Sequence, residues 1–237
     1  MQITNCHSYQ EMSDLAASLV LEELVTKPDL LLCAVTGGSP EGLYRELVRT
    51  ASRERSLFKQ IRIMKLDEWG GVPAYYPVTC DFYLRKKVLE PLGIPKERFI
   101  SFASDPEDPA AECRKIRSRL KKEGPIDICI LGLGRNGHLG FNEPAPELEP
   151  YCHVAELSAE SIQHDMIASL DRKPKYGLTL GMQEILSSRK IIMLVSGKDK
   201  KQMVKKFLEG KISTALPASL LHLHPRVECL VNRGNQD

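Results

Sequence analysis

The chain has 237 residues, of which 42% are hydrophobic and 27% are charged, as in an ordinary soluble globular protein. Its formal net charge of +2 at pH 7 provides no electrostatic drive towards nucleic acid or a membrane surface, so neither partner is expected. No apolar run approaches the roughly 20 residues of a membrane span, and residues 1–6 lack the features of a signal peptide, so we expect a cytoplasmic protein.

Helical and extended patterns alternate along the sequence. Apolar residues recur at spacings of three and four over residues 8–27, which predicts a helix with Ser8 and Glu11 as a capping box. A second helix is predicted with Ser39 as its N-cap and Pro40 as its first helical residue. The other predicted elements, in chain order, are strand 29–35, strand 61–66, helix 80–92, helix 109–123, strand 126–132, strand 190–196, helix 199–209 and strand 226–231.

This alternation predicts parallel βαβ units. We therefore expect an α/β fold in which a doubly wound, mostly parallel sheet carries helices on both faces, as in a Rossmann-like architecture. No Gly/Ser-rich linker, repeat or low-complexity tract divides the sequence, so residues 1–237 are predicted to form one domain.

Four polar segments come directly after predicted strands. They are residues 36–39, 67–68, 135–143 and 197–200. In a parallel sheet such positions share the C-terminal edge, where folds of this kind bind ligands. The sequence therefore predicts that the four segments converge on one crevice.

The first of these segments has the composition of an anion site. Its residues are Thr36, Gly37, Gly38 and Ser39. Their backbone N–H groups, two hydroxyl groups and the following helix N-terminus suit a phosphate, although the segment is not a P-loop and could instead be a tight turn that needs glycine. Candidates for the compensating positive charge are Lys198 or Lys200, and Arg172, with a solvated surface position as the alternative.

Acid–base chemistry is suggested by the second and third segments. Asp67 could act as a general base if partial burial raises its pKa towards neutrality; the alternative is that Asp67 and Glu68 begin a loop. His138 lies in a glycine-rich loop after an apolar strand and could act as an acid or a base near neutral pH. Glu143 could orient its ring or relay a proton, and Asn136 could hold the same network. A lone histidine is more often structural, but this surrounding favours function.

The cysteines and the remaining histidines give weaker signals. Seven cysteines without a CxxC motif argue against a disulfide framework or a zinc site. Cys33, Cys129 and Cys229 lie in apolar runs and are predicted to be buried, and no cysteine is expected to be catalytic. His222 and His224 alternate without a third ligand nearby, so we interpret both as structural and expect no metal.

Several motifs together resemble one known family. They are residues 36–40 (TGGSP), 66–69 (LDEW), 132–144 (GLGRNGHLGFNEP) and 178–181 (LTLG). These residues are similar to the glucosamine-6-phosphate deaminase/isomerase family, which shares a superfamily with 6-phosphogluconolactonase. The resemblance covers about residues 30–230. Other segments look closer to the galactosamine-6-phosphate branch: residues 65–69 (KLDEW), 79–80 (TC), 163–166 (QHDM) and 213–219 (STALPAS).

The resemblance implies conversion of an amino-sugar 6-phosphate and water into a ketose 6-phosphate and ammonia. It implies that Asp67 shuttles a proton between C1 and C2 of the open-chain sugar. His138 with Glu143 would open the sugar ring, and residues 36–39 with Lys200 would hold the phosphate. No metal and no organic cofactor is implied.

The sequence also departs from the family pattern. Some members carry aspartate where this chain has Asn136, which cannot act as a base, so Asn136 is expected only to orient its neighbours. A family phosphate-binding arginine has no counterpart in residues 162–167, and Arg172 is a possible substitute. The short C-terminal end predicts a monomer or small homo-oligomer rather than an allosteric hexamer. Residues 151–175 could form a lid over the site.

Two alternatives to an amino-sugar phosphate deaminase remain open. A lactonase of the 6-phosphogluconolactonase type also needs a phosphate site and a histidine, but it needs no proton shuttle, so it should tolerate Asp67→Asn. A non-catalytic sugar-phosphate sensor should keep its affinity after His138→Ala. The presence of Asp67, His138 and Glu143 in one sequence favours an enzyme.

Overall fold

The computed structural model describes residues 1–163, 167 and 173–234. The strands are β1 (Gln2–Cys6), β2 (Leu31–Ala34), β3 (Arg62–Lys65), β4 (Asp67–Gly70), β5 (Phe99–Ile100), β6 (Ile128–Gly132), β7 (His153–Ala155), β8 (Tyr176–Thr179), β9 (Lys190–Val195) and β10 (Val227–Asn232). The helices are α1 (Tyr9–Thr26), α2 (Gly38–Ala51), α3 (Cys80–Leu84), α4 (Glu90–Leu92), α5 (Pro109–Glu123), α6 (Ala159–Ile162), α7 (Met182–Leu186) and α8 (Lys201–Leu208). A π-helical turn, Arg85–Leu89, joins α3 to α4.

Seven strands form a parallel sheet in the order β1-β10-β9-β6-β2-β3-β5. The chain runs outward from β2 to β3 and β5, and then returns to the other side of β2 as β6. The gap between the ends of β2 and β6 is therefore a topological switch point, the place where doubly wound sheets bind ligands. This topology confirms the predicted α/β fold with a parallel sheet.

The central strands of the sheet are buried, and helices pack against them. Every residue of β2 and β9 is buried, as in a parallel sheet covered on both faces. Helices α1 and α2 pack against each other, and α2 contacts β6 and β9. Tyr44 on α2 is buried and donates a hydrogen bond of 2.7 Å to the carbonyl of Val35. This bond fixes the helix to the end of β2 and thus limits the freedom of the turn between them.

A second, antiparallel sheet of three strands, in the order β4-β8-β7, was not predicted from the sequence. Leu66 joins the two sheets, because its N–H donates to Ala34 in the parallel sheet and its carbonyl accepts from Leu180 directly after β8. Asp67 follows Leu66 and is the first residue of β4. The acidic pair 67–68 therefore lies in a buried strand and does not begin a loop.

The helix boundaries largely follow the predicted signals. Ser8 accepts a hydrogen bond of 3.0 Å from the N–H of Glu11, as predicted for the start of α1. The carboxylate of Glu11 accepts from the N–H of His7, so the expected reciprocal bond to Ser8 is replaced by one to its neighbour. Helix α2 begins at Gly38, two residues before the predicted start at Pro40, so Ser39 lies inside the helix and is not its cap. Its cap is Gly37, whose φ of 107° lies in the left-handed region that glycine adopts readily.

Three further predictions concern burial, the lid and membranes. Cys33, Cys129 and Cys229 are fully buried, as predicted. The lid predicted for residues 151–175 is described only in part: its first portion includes β7 and α6, while residues 164–166 and 168–172 lie outside the described residues. The lid therefore stays a prediction. In the described part of the chain, no helix has the length and apolar character needed to cross a membrane.

Candidate active site

A cavity of about 570 Å³ opens at the C-terminal edge of the parallel sheet. All four polar segments that follow strands contribute to its wall, as predicted. The contributions are residues 36–41 after β2, Asp67 after β3, much of the loop around the end of β6, and Ser196, Gly197 and Lys200 after β9. The cavity therefore lies at the switch point between β2 and β6.

Asp67 is the buried carboxylate of this cavity. Only 7% of its surface is exposed. Desolvation by burial, followed by repulsion from the neighbouring Glu68, raises the pKa of Asp67 to about 7, against the opposing attraction of Lys65 and His138. A carboxylate with this pKa exchanges a proton readily at neutral pH, which is the property required of a general base.

Glu68 points away from the cavity and stabilises the fold. Its side chain is fully buried and forms an ion pair with the equally buried Lys65. One of its oxygens accepts hydrogen bonds from the N–H groups of Trp69 and Cys80, each 2.8 Å long. The strand alternation of β4 explains why adjacent carboxylates have different roles, since successive side chains lie on opposite faces.

His138, Glu143 and Asn136 form one hydrogen-bonded network, as the sequence predicted. His138 Nδ1 lies 3.0 Å from Glu143 Oε2, and Asn136 Nδ2 donates to the same oxygen at 2.8 Å. The Oδ1 atom of Asn136 accepts from the N–H of His138 at 3.1 Å. Desolvation would raise the pKa of Glu143, but hydrogen bonds from His138, Ser161 and Asn136 together lower it to about 2. Glu143 is thus a carboxylate at neutral pH, and it orients the ring.

Because an ionised carboxylate only accepts hydrogen bonds, the proton between the two groups belongs to His138 Nδ1. The other ring nitrogen, Nε2, is then available for proton exchange with a ligand. Asn136 and Glu143 are not among the described residues that line the cavity, so they act on it through His138, which does line it.

Ser161 is a member of this network that the sequence analysis did not identify. It lies on α6, is buried, and donates a hydrogen bond of 2.5 Å to Glu143 Oε1. It also lines the cavity. Ser161 and Glu143 are 18 positions apart, and no pattern in the sequence connects the two.

The turn formed by residues 36–39 is open towards the cavity and held from outside. A Cβ atom placed on Gly37 or Gly38 would meet nothing within 4 Å. The carbonyl groups of these glycines accept hydrogen bonds from Tyr83 and Tyr9, at 3.0 and 2.6 Å respectively. The N-terminus of α2 is therefore presented to the cavity with room for an anion, as expected for a phosphate site.

Basic side chains border the same cavity. Lys200 follows β9, is half-buried and lines the cavity, in agreement with the sequence analysis. Arg135 also lines it and was not among the predicted phosphate ligands. Arg172, which was predicted as a ligand, lies outside the described residues. The position of Arg135 between a predicted strand and the Asn-Gly-His motif was the signal that could have identified it.

The two alternating histidines bind backbone atoms. His222 Nε2 lies 2.8 Å from the carbonyl of Phe207, and His224 Nε2 lies 2.7 Å from that of Ser188. Within residues 1–163, 167 and 173–234, no group of three or more His, Cys, Asp or Glu side chains is arranged to hold a metal ion.

Comparison with known proteins identifies the family of the chain. Residues 9–230 match the family model described as glucosamine-6-phosphate isomerases/6-phosphogluconolactonase. The chain belongs to this family. The motif resemblance found in the sequence is thereby confirmed.

Relatives in this family extend over nearly the whole chain. Glucosamine-6-phosphate deaminase 1 of Bacillus subtilis (strain 168) is 39% identical over 235 residues, which are 98% of this chain and 97% of that protein. AgaI of Escherichia coli (strain K12), which is named provisionally as a deaminase, is 38% identical over 225 residues. These are 95% of this chain and 89% of AgaI.

Solved structures show the same fold. A structure described as a monomeric glucosamine-6-phosphate deaminase of the NagB superfamily aligns with a TM-score of 0.92 and 38% identity, covering 99% of this chain and 98% of its own. The 6-phosphogluconolactonase of Trypanosoma cruzi aligns with a TM-score of 0.79 at 19% identity, covering 98% of this chain and 94% of its own. At that identity the second likeness concerns the fold alone.

Proposed function

We propose that this chain is an amino-sugar-6-phosphate deaminase/isomerase, which converts an amino-sugar 6-phosphate and water into a ketose 6-phosphate and ammonia. The observation that carries the proposal is the position of Asp67, a buried carboxylate whose pKa is about 7, in the same cavity as His138 and the anion-suited turn 36–39. Relatives named as glucosamine-6-phosphate deaminases, at 38–39% identity, support it.

The ring-opening step uses the His138 network. The sugar enters in its cyclic form, and Nε2 of His138 takes the proton of the C1 hydroxyl group and returns a proton to the ring oxygen. Glu143 holds Nδ1 and stabilises the imidazolium that forms during the step. Asn136 contributes by holding Glu143 and the backbone of the loop, and it transfers no proton.

Asp67 carries out the isomerisation. Its carboxylate removes the proton at C2 of the open-chain aldehyde while the aldehyde oxygen takes a proton from solvent, which gives an enolamine. Asp67 then delivers the C2 proton to C1. The nitrogen at C2 is then an imine, which water attacks at carbon, and ammonia leaves as the ketone forms. A base with a pKa near 7 can both accept and return this proton at neutral pH.

The phosphate lies at the opposite end of the substrate in this proposal. The N–H groups and hydroxyl groups of the turn 36–39 and the helix dipole of α2 favour its negative charge. Lys200 and Arg135, which both line the cavity, add the positive charge that the family arginine would supply elsewhere. Arg172 stays a candidate for the same role.

A 6-phosphogluconolactonase activity is less well supported. A lactonase needs no base between C1 and C2, so the raised pKa of Asp67 would serve no purpose in that reaction. The lactonase structures that resemble this chain do so at 14–20% identity, which concerns the fold only.

The relative of known structure that is described as monomeric is 38% identical to this chain. We therefore propose a monomer or a small homo-oligomer. The motifs in 65–69 and 79–80 favour galactosamine 6-phosphate as the preferred epimer. A cytoplasmic location is part of the same proposal.

Ammonia release from galactosamine 6-phosphate and from glucosamine 6-phosphate, measured in parallel, tests the function. Asp67→Asn keeps the size of the side chain and removes the base, so we expect it to abolish release. Asp14→Asn, which makes the same chemical change at an exposed position on α1, should leave release unchanged.

The preferred epimer follows from which substrate gives the higher kcat/KM. Ammonia from neither sugar, together with hydrolysis of 6-phosphogluconolactone, would replace the deaminase by the lactonase. Binding of a sugar phosphate without turnover of galactosamine 6-phosphate, glucosamine 6-phosphate or 6-phosphogluconolactone would indicate a sensor.

A further inference from the structure

Two tyrosine hydroxyl groups hold the glycine-rich turn after β2, and the proposed reaction gives them no role. Tyr83 on α3 donates a hydrogen bond of 3.0 Å to the carbonyl of Gly37. Tyr9, the first residue of α1, donates one of 2.6 Å to the carbonyl of Gly38 and accepts one of 2.7 Å from the N–H of Gly42. The two carbonyl groups of the turn are thus fixed from two different helices.

The turn needs such support because its backbone can rotate. Gly37 has a φ of 107° and a ψ of −179°, a conformation that is essentially confined to glycine. The peptide group between Gly37 and Gly38 has glycine on both sides, so it can turn over at little steric cost. When a peptide group turns over, its N–H and its carbonyl exchange directions. The same turn could therefore offer an anion either an N–H group, which attracts it, or a carbonyl oxygen, which repels it.

The hydrogen bonds from the tyrosines fix the directions of two N–H groups. The peptide bonds of the turn are trans, so each carbonyl points away from the N–H of the next residue. Because Tyr83 holds the carbonyl of Gly37, the N–H of Gly38 points to the opposite side. Tyr9 directs the N–H of Ser39 in the same way, through the Gly38 carbonyl. Both N–H groups lie in the first turn of α2, where they have no partner within the helix, and the glycine cap has no side chain to bind them. They therefore suit an anion in the cavity.

We propose that Tyr83 and Tyr9 are positioning residues for the substrate phosphate: they hold the peptide groups of the turn so that the N–H groups of Gly38 and Ser39 face the anion. The inference rests on the proposed function for the identity of this anion as the 6-phosphate of the sugar. Each hydroxyl group has a single proton, which a glycine carbonyl receives, so neither tyrosine donates to the phosphate itself. Burial raises the pKa of both tyrosines, so both keep this proton.

Tyr83 is itself held by contacts of α3 with the strand of the proposed base. The carboxylate of Glu68 in β4 accepts a hydrogen bond of 2.8 Å from the N–H of Cys80 and one of 2.9 Å from that of Asp81. These two residues begin α3, so β4 fixes the helix that carries Tyr83. Sγ of Cys80 also lies 3.6 Å from Oγ1 of Thr36, the first residue of the turn. The end of the cavity that holds the base and the end assigned to the phosphate are therefore connected through α3.

The test is a titration of the full chain with inorganic phosphate, followed by NMR at the backbone N–H groups of Gly38 and Ser39. Tyr83→Phe and Tyr9→Phe keep the rings and remove the hydroxyl groups. We expect each to raise the Kd for phosphate about two- to tenfold, the effect of one hydrogen bond. Tyr75→Phe makes the same change in a side chain that is 78% exposed and is not among the described residues of the cavity wall, so it should leave the Kd unchanged.

Two results of this titration would overturn the proposal. One is a Kd for phosphate that is the same in Tyr83→Phe as in Tyr75→Phe. The other is an unaltered protein in which the N–H signals of Gly38 and Ser39 do not respond to phosphate. Thermal unfolding shows whether each variant folds, and Tyr83→Phe alone decides if Tyr9→Phe does not.

Kinetics provide the second readout. The hydroxyl group of Tyr83 acts on the phosphate end of the substrate, so Tyr83→Phe should raise KM for the amino-sugar 6-phosphate by the same factor as the Kd for phosphate and leave kcat unchanged. A fall in kcat at unchanged KM would indicate a role in the chemical step or in the fold and would overturn the proposal. The two proposals fail separately, because the phosphate titration requires no turnover and absent ammonia from the unaltered protein bears only on the function.

Discussion

Ser161 and Glu143 are joined by a hydrogen bond of 2.5 Å that connects helix α6 to the loop after β6. Ser161 donates to Oε1, while His138 and Asn136 engage Oε2. Both oxygens of the carboxylate are therefore fixed, and the plane of the carboxylate determines where the His138 ring lies. Because α6 belongs to the segment predicted as a lid, the orientation of the proposed acid–base histidine depends on where that segment lies.

Ser161→Ala should reduce catalysis without unfolding the chain. The change leaves Oε1 of Glu143 without this donor and loosens the orientation of His138. We expect kcat/KM for ammonia release to fall about five- to tenfold, which corresponds to about 1–1.4 kcal/mol, the value of one hydrogen bond. The pKa of Glu143 should rise from its value of about 2, since this hydrogen bond helps to lower it.

Ser18→Ala is the matched control for this prediction. Ser18 is exposed on α1 and donates only to a backbone carbonyl, that of Asp14, at 3.0 Å. Its removal should leave kcat/KM unchanged. Equal kinetics of the two variants would mean that Ser161 has no part in orienting Glu143 and His138.

The architecture and the position of the cavity could be predicted because they depend on local patterns. Buried parallel strands give continuous apolar runs, and residues that follow such strands must meet at one edge of the sheet. That reasoning placed Asp67, His138 and Lys200 at the cavity wall. Helix α5 was predicted with both of its ends correct, because proline at its start and glycine after its end are strong local signals.

The antiparallel sheet could not be predicted in the same way. Its strands have three or four residues, and β4 contains two carboxylates, which are uncommon in strands. Pairing with β8, more than 100 residues away in sequence, decides its conformation. Without knowledge that β4 is a strand, the sequence could not show that Asp67 faces the cavity and Glu68 the interior. The contacts of Ser161 and Cys80 were missed for the same reason, since both are long-range.

Gly134→Ala should impair catalysis by displacing the His138 ring. A Cβ atom on Gly134 would lie 2.2 Å from Cδ2 and 2.4 Å from Nε2 of His138, so the ring must move. The proposed proton acceptor is Nε2 itself, and a displacement of about 1 Å can cost about a hundredfold in rate. We therefore expect kcat/KM for ammonia release to fall by about two orders of magnitude.

Gly132→Ala provides the comparison for this effect. Gly132 lies two residues earlier on the same cavity wall, but a Cβ atom there would meet nothing within 4 Å. The fall in kcat/KM caused by Gly132→Ala should be at least about tenfold smaller than that caused by Gly134→Ala, because the His138 ring need not move. Thermal unfolding of both variants separates ring displacement from loss of fold. Activity of Gly134→Ala close to that of Gly132→Ala would contradict the role assigned to Nε2.

Asp67→Asn should remove activity and yet stabilise the protein at alkaline pH. Burial raises the pKa of Asp67 from 3.8 to about 7 on folding, so the folded state binds this proton more tightly than the unfolded chain. The resulting stability is complete below the unfolded pKa and is lost as the pH rises through about 7. By linkage the loss amounts to about 4 kcal/mol in total, of which about 3 kcal/mol falls between pH 5 and pH 8. Asparagine has no proton to lose, so the stability of Asp67→Asn relative to the unaltered protein should increase by up to that amount over this interval. Urea unfolding at pH 5 and pH 8 measures the difference.

Asp67→Ser should show the same pH dependence at a different absolute stability, because it also lacks the carboxyl group but fills less space. If the free energies of unfolding of Asp67→Asn and the unaltered protein differ by the same amount at pH 5 and pH 8, Asp67 is not held at a raised pKa. The main physical support for Asp67 as the base would then be lost.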